Sequence, residues 1–388
     1  MSLATLGWIL LVGPVIIAVA AYLVYPLGLA ILALRPRLPV TTDPPEWPEI
    51  TVLIPVHNEA GAIAQTLDKL LEADYPAERR HVLVISDASS DGTDEIVRGY
   101  LDRGVHLVRT ERRGGKTAAE NEAGKYLRGA VLVSIDATIR TPRGALKALV
   151  RAFQDETVGV ASGCDVSVGD VAREQNRDES TYVGYEMWVR RLETRCGTIV
   201  GASGCFYALR SVLFDDIFPE ALSRDFASPL IARERGFRSV SVDEAICFVP
   251  RTRSPQEEYR RKVRTMTRGL ETLWFKRHLL NPVRYGRFAI FLMGHKLLRW
   301  LVSLVWPLAI LGAVILDVVH RGSLPVTGVL LLPIVAGLVG YYWPGDRPAP
   351  RLLAISGFLF SSHVAGVVAW ARALRGELNP VWEPTRRP

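Results

Sequence analysis

Cysteine is scarce in this sequence, and its spacing excludes the common cysteine-based sites. The 388 residues include four cysteines, and no two of them form a Cys-x-x-Cys pair. A zinc site or a disulfide framework normally shows paired or regularly spaced cysteines. We therefore expect reduced, buried thiols at the four positions, Cys164, Cys196, Cys205 and Cys247.

Charge is absent from residues 6–34, which are almost entirely apolar. A helix of this length can cross a hydrocarbon layer of about 30 Å with some tilt. The run is too long for a signal-peptide core, and no basic region precedes it, so it predicts a retained membrane anchor. Arg35 and Arg37 follow at once, which predicts that the next part of the chain is cytoplasmic.

The net charge of +7 does not by itself indicate nucleic acid. The basic residues crowd beside apolar segments, and that arrangement favours anionic lipid and phosphate as partners. We therefore expect membrane lipids among the partners and no nucleic acid.

Residues 50–140 alternate short apolar runs with helical patterns. The runs predict strands at 50–56, 81–87, 105–110 and 130–137, with helices near 60–73, 92–103 and 115–127. Near-continuous apolar strands that alternate with helices are typical of a parallel sheet covered on both faces. The sequence therefore predicts an open, Rossmann-like α/β domain with its ligand site at the carboxyl ends of the strands.

Polar residues fall at these predicted strand ends. His57 and Glu59 follow the first strand, Asp87 the second and Asp136 the fourth. A single carboxylate at a strand end is as often a helix N-cap as a ligand. Asp87 and Asp136 at one sheet edge favour a binding site.

The Gly-Lys-Thr at 115–117 is not a P-loop, because Thr110 occupies the position that needs the first glycine. A Gly-Gly-Lys turn at a helix start can still bind a diphosphate, although a solvated lysine is the plain alternative.

Beyond residue 250 the pattern changes to amphipathic and apolar helices. Ser254, Pro255 and Glu257 form a capping-box signature, and a helix with one apolar and one basic face follows to residue 277. This predicts a helix at a membrane surface or, alternatively, an ordinary amphipathic helix of the domain. Further apolar segments lie near 297–318, 325–342 and 352–371, and the basic tail, with Arg386 and Arg387, leaves the number of crossings open.

Seven short segments, taken in order, carry a family resemblance. They are IPVHNEA (54–60), SDASSDGTDEI (86–96), GGKTAAEN (114–121), SIDAT (134–138), GASGCFYALRSVLF (201–214), SRDFASPL (223–230) and EEYRRKVRT (257–265). The chain resembles the membrane-bound family 2 glycosyltransferases with the GT-A fold, related to the cellulose, hyaluronan and poly-N-acetylglucosamine synthases. The resemblance runs from about residue 50 to 270.

The resemblance implies a nucleotide-sugar site. Asp87 would contact the nucleotide base beside the His57–Glu59 loop, and Lys116 would lie near the diphosphate. Asp136 would bind Mg²⁺ or Mn²⁺ on the donor diphosphate, with Thr138 assisting weakly.

The resemblance also implies the catalytic groups. Asp225 would be the general base, and Arg261 with Arg264 would steady the leaving nucleotide in place of the family's Gln-x-x-Arg-Trp element. The chain departs from the family's usual pattern at four points: Thr138 replaces a second metal carboxylate, Arg224 replaces the acid before the base, Arg261 replaces the glutamine, and Thr265 replaces the tryptophan.

These expectations define six regions: an anchor (1–36), a Pro-rich linker (37–48), a cytoplasmic GT-A domain (49–250), interface helices (251–296), C-terminal membrane segments (297–372) and a basic tail (373–388). The expected activity is inverting transfer from a nucleotide sugar, UDP-linked, to a membrane-associated glycan or lipid-linked acceptor in polysaccharide or cell-envelope synthesis. The expected location is a bacterial-type inner membrane with several crossings. The alternatives are transfer to a polyprenyl phosphate and a catalytically weak membrane scaffold.

Overall fold

The computed structural model describes residues 1–34, 42–168, 177–214, 218–250, 255–320, 326–344 and 349–377, with 177–183 and 255 described by their backbone alone. The cytoplasmic signal at Arg35 and Arg37, the capping serine Ser254 and the tail arginines Arg386 and Arg387 lie outside the described residues.

One seven-stranded sheet organises the soluble part of the chain, with strand order β3-β2-β1-β4-β6-β5-β7. The strands are β1 (Ile50–Val56), β2 (Arg80–Ser86), β3 (Val105–Arg109), β4 (Val131–Ile135), β5 (Val158–Val168), β6 (Phe206–Arg210) and β7 (Arg238–Pro250). The first four agree with the predicted strands to within two residues. Strand β6 runs antiparallel to both β4 and β5, whereas the other pairs are parallel. The predicted, mostly parallel α/β sheet is therefore confirmed.

Alternate residues of the central strands pack into two separate cores. Val52 and Ile54 of β1 belong to one buried cluster, whereas Leu53 between them belongs to a second. All seven residues of β1 are buried. This is the burial expected of a sheet with helices on both faces. Because β1, β2 and β4 run parallel, their carboxyl ends lie at one edge of the sheet.

The helices of this domain are α3 (Ile63–Leu71), α4 (Thr93–Arg98), α5 (Lys116–Ala123), α6 (Ala145–Arg151), α7 (Arg177–Cys196) and α8 (Arg224–Glu234). Helices α3, α4 and α5 lie within the segments predicted as helical. Helix α5 begins at Lys116, directly after the Gly-Gly turn.

Three described helices are long and apolar enough to cross a membrane: Leu3–Leu32, Arg287–Val319 and Arg351–Leu374. The first consists of α1 (Leu3–Val19) and α2 (Tyr25–Leu32) joined by a π-helical turn, and it confirms the helix expected at 6–34. The second contains α11 (Arg287–Leu292) and α12 (Arg299–Val319), and the third is α14 (Arg351–Leu374). Helix α13 (Val326–Tyr341) is apolar but shorter.

Helix α9 (Pro255–Phe275) occupies the predicted amphipathic segment, and the short α10 (Pro282–Tyr285) follows it. Part of the apolar face of α9 packs on α14 rather than facing outward. Lys262 donates to the Ser362 hydroxyl at 2.9 Å, and a Cβ on Gly366 would contact Met266 at 3.1 Å. Val263 is 3% exposed, so this part of the helix is buried.

A buried ionic network joins α7 to the second membrane helix. His295 bonds Glu193 through Nδ1 at 2.7 Å and Glu186 through Nε2 at 2.9 Å. Arg299 donates to the other oxygen of Glu186 at 2.8 Å, and Lys296 lies 3.3 Å from Glu186 Oε1. Buried charges are tolerated where several partners satisfy them, so this network fixes the domain on the helix.

Candidate active site

The Gly201–Cys205 loop, which precedes β6, contacts three of the predicted site residues. The Ser203 hydroxyl donates to Asp165 at 2.5 Å and accepts the backbone N–H groups of Cys205 and Phe206, each at 3.1 Å. These bonds hold the loop in one conformation. Its two last carbonyl groups, at Gly204 and Cys205, then point toward the carboxyl end of β4.

Lys116 reaches this loop from the start of α5. Its ammonium donates to Asp136 Oδ1 at 2.6 Å and to the Gly204 carbonyl at 2.8 Å. Burial alone would lower the pKa of Lys116, but the carboxylates of Asp136, Glu120 and Asp225 raise it above its ordinary value. The group therefore remains a fixed positive charge at neutral pH.

Asp136 follows the last residue of β4, as predicted, and is anchored through its backbone. Its N–H donates to the Cys205 carbonyl at 2.9 Å, and its side chain is 20% exposed. Thr138 lies in the turn that follows and is partly buried. The carboxylate of Asp136 is thus rigidly held, open to solvent on one side, and adjacent to a lysine ammonium.

Asp225 lies in the first turn of α8, on the other side of the Gly201–Cys205 loop. The Ser223 hydroxyl donates to its Oδ1, and a Cβ on Gly204 would lie 2.7 Å from its Oδ2. The structure therefore brings Lys116, Asp136 and Asp225 together around Gly204, although they are far apart in the chain.

Arg224 points away from Asp225 into a separate buried slot. Its guanidinium lies over Phe214 at 4.4 Å and Phe218 at 5.1 Å, donates to Asn121, and has its Nε 3.7 Å from Glu120 Oε2. Asn121 and Glu120 belong to α5, so Arg224 connects the helix of the predicted base to the helix of Lys116. An arginine is accommodated at this position because consecutive helical side chains point in different directions.

Asp87 is held by the Gly-Gly turn. Gly114 N–H donates to its Oδ1 and Gly115 N–H to its Oδ2, each at 2.8 Å, and the residue is 2% exposed. The carboxylate fixes the turn that begins α5 and so places Lys116. A contact with the nucleotide base would use the remaining lone pairs of these oxygens.

The His57–Glu59 loop lies beside Asp87. His57 Nδ1 is 2.6 Å from the Asp87 carbonyl oxygen, and the Glu59 N–H donates to the Thr93 hydroxyl at 2.9 Å. Asn58 between them has a φ of 55°, in the left-handed region that asparagine tolerates best among larger residues. The turns after β1 and β2 therefore form one connected surface.

The three arginines on one side of α9 differ in their partners. Arg261 pairs with Glu258 through Nε and Nη2, both at 2.8 Å, and Arg264 is partly buried one turn further on. Arg268 reaches the site, where its Nη2 donates to the Thr117 hydroxyl at 2.7 Å and the Leu222 carbonyl at 2.5 Å. Sequence reasoning singled out Arg261 and Arg264 but missed Arg268 and Gly204, for which no local signal exists.

The side chains at the site determine how a divalent cation could bind there. No group of three or more acidic, histidine or cysteine side chains forms a metal cage within the described ranges. Mg²⁺ and Mn²⁺ accept one or two carboxylates completed by substrate phosphates and water. Asp136 fits such a site together with a bound diphosphate, with Thr138 two residues further along the chain.

Comparison with known proteins shows what part of the chain is similar to a known family. Residues 51–218 match the model of Glycosyl transferase family 2. The chain is 33% identical over 124 residues to the probable glycosyltransferase YdaM of Bacillus subtilis, an alignment that covers 30% of each chain. It is 22% identical over 265 residues to the poly-β-1,6-N-acetyl-D-glucosamine synthase of Staphylococcus aureus, covering 66% of this chain and 62% of the synthase. The chain thus spans less than two thirds of the length of these relatives.

A solved structure shares the fold over nearly the whole chain. The mannosyltransferase PcManGT from Pyrobaculum calidifontis, determined in complex with GDP-Man and Mn²⁺, superposes with a TM-score of 0.73 and 22% sequence identity. The match covers 97% of this chain and 100% of the other. The family match shows a Glycosyl transferase family 2 domain at residues 51–218, and the likeness to this solved structure shows a fold of the GT-A type.

Proposed function

We propose that the protein is a membrane-bound, inverting glycosyltransferase that transfers a sugar from a nucleotide sugar to a membrane-associated glycan or lipid-linked acceptor. The observation that carries this proposal is the convergence of Lys116, Asp136 and Asp225 around Gly204. A carboxylate that can accept a proton and a fixed positive charge that can face a diphosphate are the two groups that glycosyl transfer needs.

Asp225 is proposed as the general base. The acceptor hydroxyl loses its proton to the Asp225 carboxylate while its oxygen bonds the anomeric carbon of the donor. The bond between that carbon and the diphosphate oxygen breaks, and the nucleoside diphosphate leaves with the electron pair. Attack on the face opposite the leaving group inverts the anomeric configuration. A positioned base of this kind contributes about 10²–10⁴-fold in rate.

Lys116 and Arg264 are proposed to face the departing diphosphate. The ammonium of Lys116 is already oriented by Asp136 and Gly204, so little reorganisation accompanies the build-up of negative charge. Arg264, with Arg261 beside it, supplies guanidinium donors that match phosphate geometry. A divalent cation held by Asp136 would neutralise the same charge.

Asp87, His57 and Glu59 are proposed to bind the nucleoside. They lie together at the turns after β1 and β2, next to the turn that begins α5. The carboxyl edge of a doubly wound sheet is where such folds bind nucleotides. We expect UDP as the nucleotide. GDP-mannose belongs in any donor test because PcManGT was crystallised with GDP-Man.

The catalytic domain is proposed to face the cytoplasm of a bacterial-type cell from the inner membrane. Three helices of membrane-spanning length flank or follow it. Arg35 and Arg37 follow the first of them, and basic residues concentrate on the cytoplasmic side of spanning helices.

The test is a panel of radiolabelled UDP- and GDP-sugars offered to membranes that contain the protein, with Mg²⁺ or Mn²⁺ and product sizing. We expect label from one donor to enter a glycan or lipid-linked product. A single-sugar lipid that extracts into organic solvent would instead identify a polyprenyl-phosphate acceptor. Absence of transfer and hydrolysis with every donor would contradict the proposal and favour the scaffold alternative.

A further inference from the structure

Arg190 of α7 holds the Gly201–Cys205 loop through two hydrogen bonds. Its Nη2 donates to the Ala202 carbonyl at 3.2 Å, and its Nη1 donates to the Ser162 hydroxyl at 3.3 Å. The Ser162 hydroxyl also accepts the Ser203 N–H at 2.8 Å. Arg190 is 6% exposed and Ser162 is fully buried, so these bonds form away from water. One buried side chain therefore supports two consecutive residues of the loop, the first directly and the second through Ser162.

Glu186, one helical turn before Arg190, pairs with both cations that contact the start of the loop. Its Oε1 lies 3.5 Å from Arg190 Nε and 3.3 Å from the ammonium of Lys296. Lys296 packs against the first residue of the loop, because a Cβ on Gly201 would lie 3.0 Å from its Cε. The carboxylate that joins α7 to the second membrane helix is thus also the one that orients Arg190.

The other end of the same loop contacts the proposed catalytic groups. The Gly204 carbonyl accepts a hydrogen bond from Lys116, and a Cβ on Gly204 would lie 2.7 Å from Asp225 Oδ2. Gly204 stands only two residues after Ala202, so a shift of the backbone at Ala202 moves it as well. A displacement of about 1 Å in a catalytic site can lower a rate on the order of 10²-fold.

A buried loop creates a specific need for the guanidinium of Arg190. The backbone groups of an irregular segment have no strand or helix partner, and a buried one without a hydrogen bond is costly. Ala202 is 6% exposed, and Arg190 supplies the donor for its carbonyl. The fork of a guanidinium can donate to two separate acceptors at once, here Ala202 and Ser162.

We propose that Arg190 is a positioning residue for sugar transfer: it keeps the Gly201–Cys205 loop in the conformation that places Asp225 and Lys116. The catalytic consequence rests on the proposed function. The hold of Arg190 on the loop does not, because it can be measured without any donor.

The experiment measures two quantities on the full chain in detergent. The first is the rate at which iodoacetamide labels each cysteine, followed by mass spectrometry. Cys205 is the last residue of the loop and is partly buried, so its labelling rate reports opening of the loop. Cys196, also partly buried, lies on α7 outside the loop and reports general loosening of that helix. The second quantity is the rate of sugar transfer at saturating donor.

Arg190→Lys is the first test variant, because it keeps the charge but replaces the planar fork of donors with one ammonium nitrogen. The matched control is Arg191→Lys at the next position, where the side chain is 51% exposed and lies 3.8 Å from Asp243. Ser162→Ala is the second test variant, since it removes the hydroxyl that joins Arg190 to Ser203 without changing a charge. The unfolding temperature of each variant is recorded.

We expect iodoacetamide to label Cys205 at least about fivefold faster in both test variants than in the native chain, while Cys196 is labelled within about twofold of its native rate. The rate of transfer should fall at least about tenfold, and the dissociation constants for UDP and GDP should stay within about twofold of the native values. In Arg191→Lys, neither the labelling rates nor the transfer rate should change by more than about twofold.

Labelling of Cys205 at the native rate in either test variant would overturn the proposal. Equal acceleration at Cys205 and Cys196 would also overturn it, because it would show a general loosening of the fold. Faster labelling of Cys205 with an unchanged transfer rate would overturn the catalytic consequence. A native chain that transfers no sugar from any donor would overturn that consequence together with the proposed function, whereas the labelling rates would still decide whether Arg190 holds the loop.

Discussion

Gly204 lies directly against the carboxylate of Asp225: a Cβ at position 204 would come within 2.7 Å of Asp225 Oδ2. The same glycine accepts a hydrogen bond from Lys116 through its carbonyl. A single loop residue therefore sets the distance between the proposed base and the lysine proposed to face the diphosphate.

We predict that Gly204→Ala lowers the rate of sugar transfer by about 10- to 100-fold, because the added methyl group must displace the Asp225 carboxylate and a positioned base contributes about 10²–10⁴-fold. The affinity for the donor should change little. Steady-state kinetics with saturating donor would measure the effect. Gly144→Ala is the matched control, since a Cβ there meets nothing within 4 Å. Equal rates for the two variants would show that the contact with Asp225 has no catalytic consequence.

The Asp136 carboxylate should carry the metal-dependent part of donor binding. We expect Asp136→Ala to abolish the Mn²⁺-dependent increase in affinity for the nucleoside diphosphate, whereas Thr138→Ala should be mild. The physical reason is that a hydroxyl is a much weaker ligand for a hard cation than a carboxylate. Calorimetric titration with and without Mn²⁺ would measure this. A Thr138→Ala variant as impaired as Asp136→Ala would refute the single-carboxylate site.

The network around Glu186 should contribute strongly to the stability of the whole chain. Burial alone would raise the pKa of Glu186, but His295, Lys296 and Arg299 hold it well below its usual range. We predict that Glu186→Gln lowers the free energy of unfolding by about 3–5 kcal/mol, because buried cations lose their counter-charge. Thermal unfolding in detergent would measure this. Glu72→Gln removes one partner of the exposed Lys69–Glu72 pair and should cost less than about 1 kcal/mol. Similar losses in the free energy of unfolding for both variants would show that the burial of the Glu186 network does not make it more stabilising than an exposed ion pair.

Asp155, which pairs with Arg238, should give the protein stability at neutral pH that is lost in acid. Burial would raise the pKa of Asp155, but hydrogen bonds from Thr157 and Arg238 lower it from 3.8 to about 2. A carboxylate whose pKa is lowered in the folded state stabilises the protein at any pH above its pKa in the unfolded state. This stabilisation disappears as the pH falls from about 4 to about 2.

Acid unfolding of the full chain, compared with an Asp155→Asn variant, would detect this contribution. The difference in stability between the two proteins should be constant above about pH 5 and shrink below pH 4. A difference that stays constant down to pH 2 would show that Asp155 titrates normally in the folded protein.

Much of the fold was predictable because the strands are buried on both faces. Runs such as Ile50–Val56 are apolar at almost every position and have turn residues at both ends. Few structures other than a buried strand fit this pattern. The carboxylates Asp87 and Asp136 were predictable for the same reason, since each follows such a run. The antiparallel insertion of β6 was not predictable, because the direction of this strand depends on contacts with β4 and β5 that no local sequence pattern encodes.

The details of the site were harder to predict from the sequence because they depend on the direction in which each side chain points. Arg268 is one of several arginines on α9, and only packing against Leu222 and Thr117 distinguishes it. Arg224 follows Ser223 and precedes Asp225, yet its guanidinium is buried between Phe214 and Phe218. Asp87 is predicted to face a nucleotide, and in the structure its two oxygens accept the N–H groups of the Gly114–Gly115 turn.

The most direct test of the account is the effect of Asp225→Asn on transfer and on donor binding, measured on the same preparation. Asparagine keeps the size of the side chain and its contact with Ser223 but cannot accept the acceptor's proton. We predict that transfer falls by at least about 10²-fold, while the dissociation constant for the nucleoside diphosphate with Mn²⁺ stays within about twofold of the native value. An Asp225→Asn protein that transfers sugar at the native rate would contradict the assignment of the base.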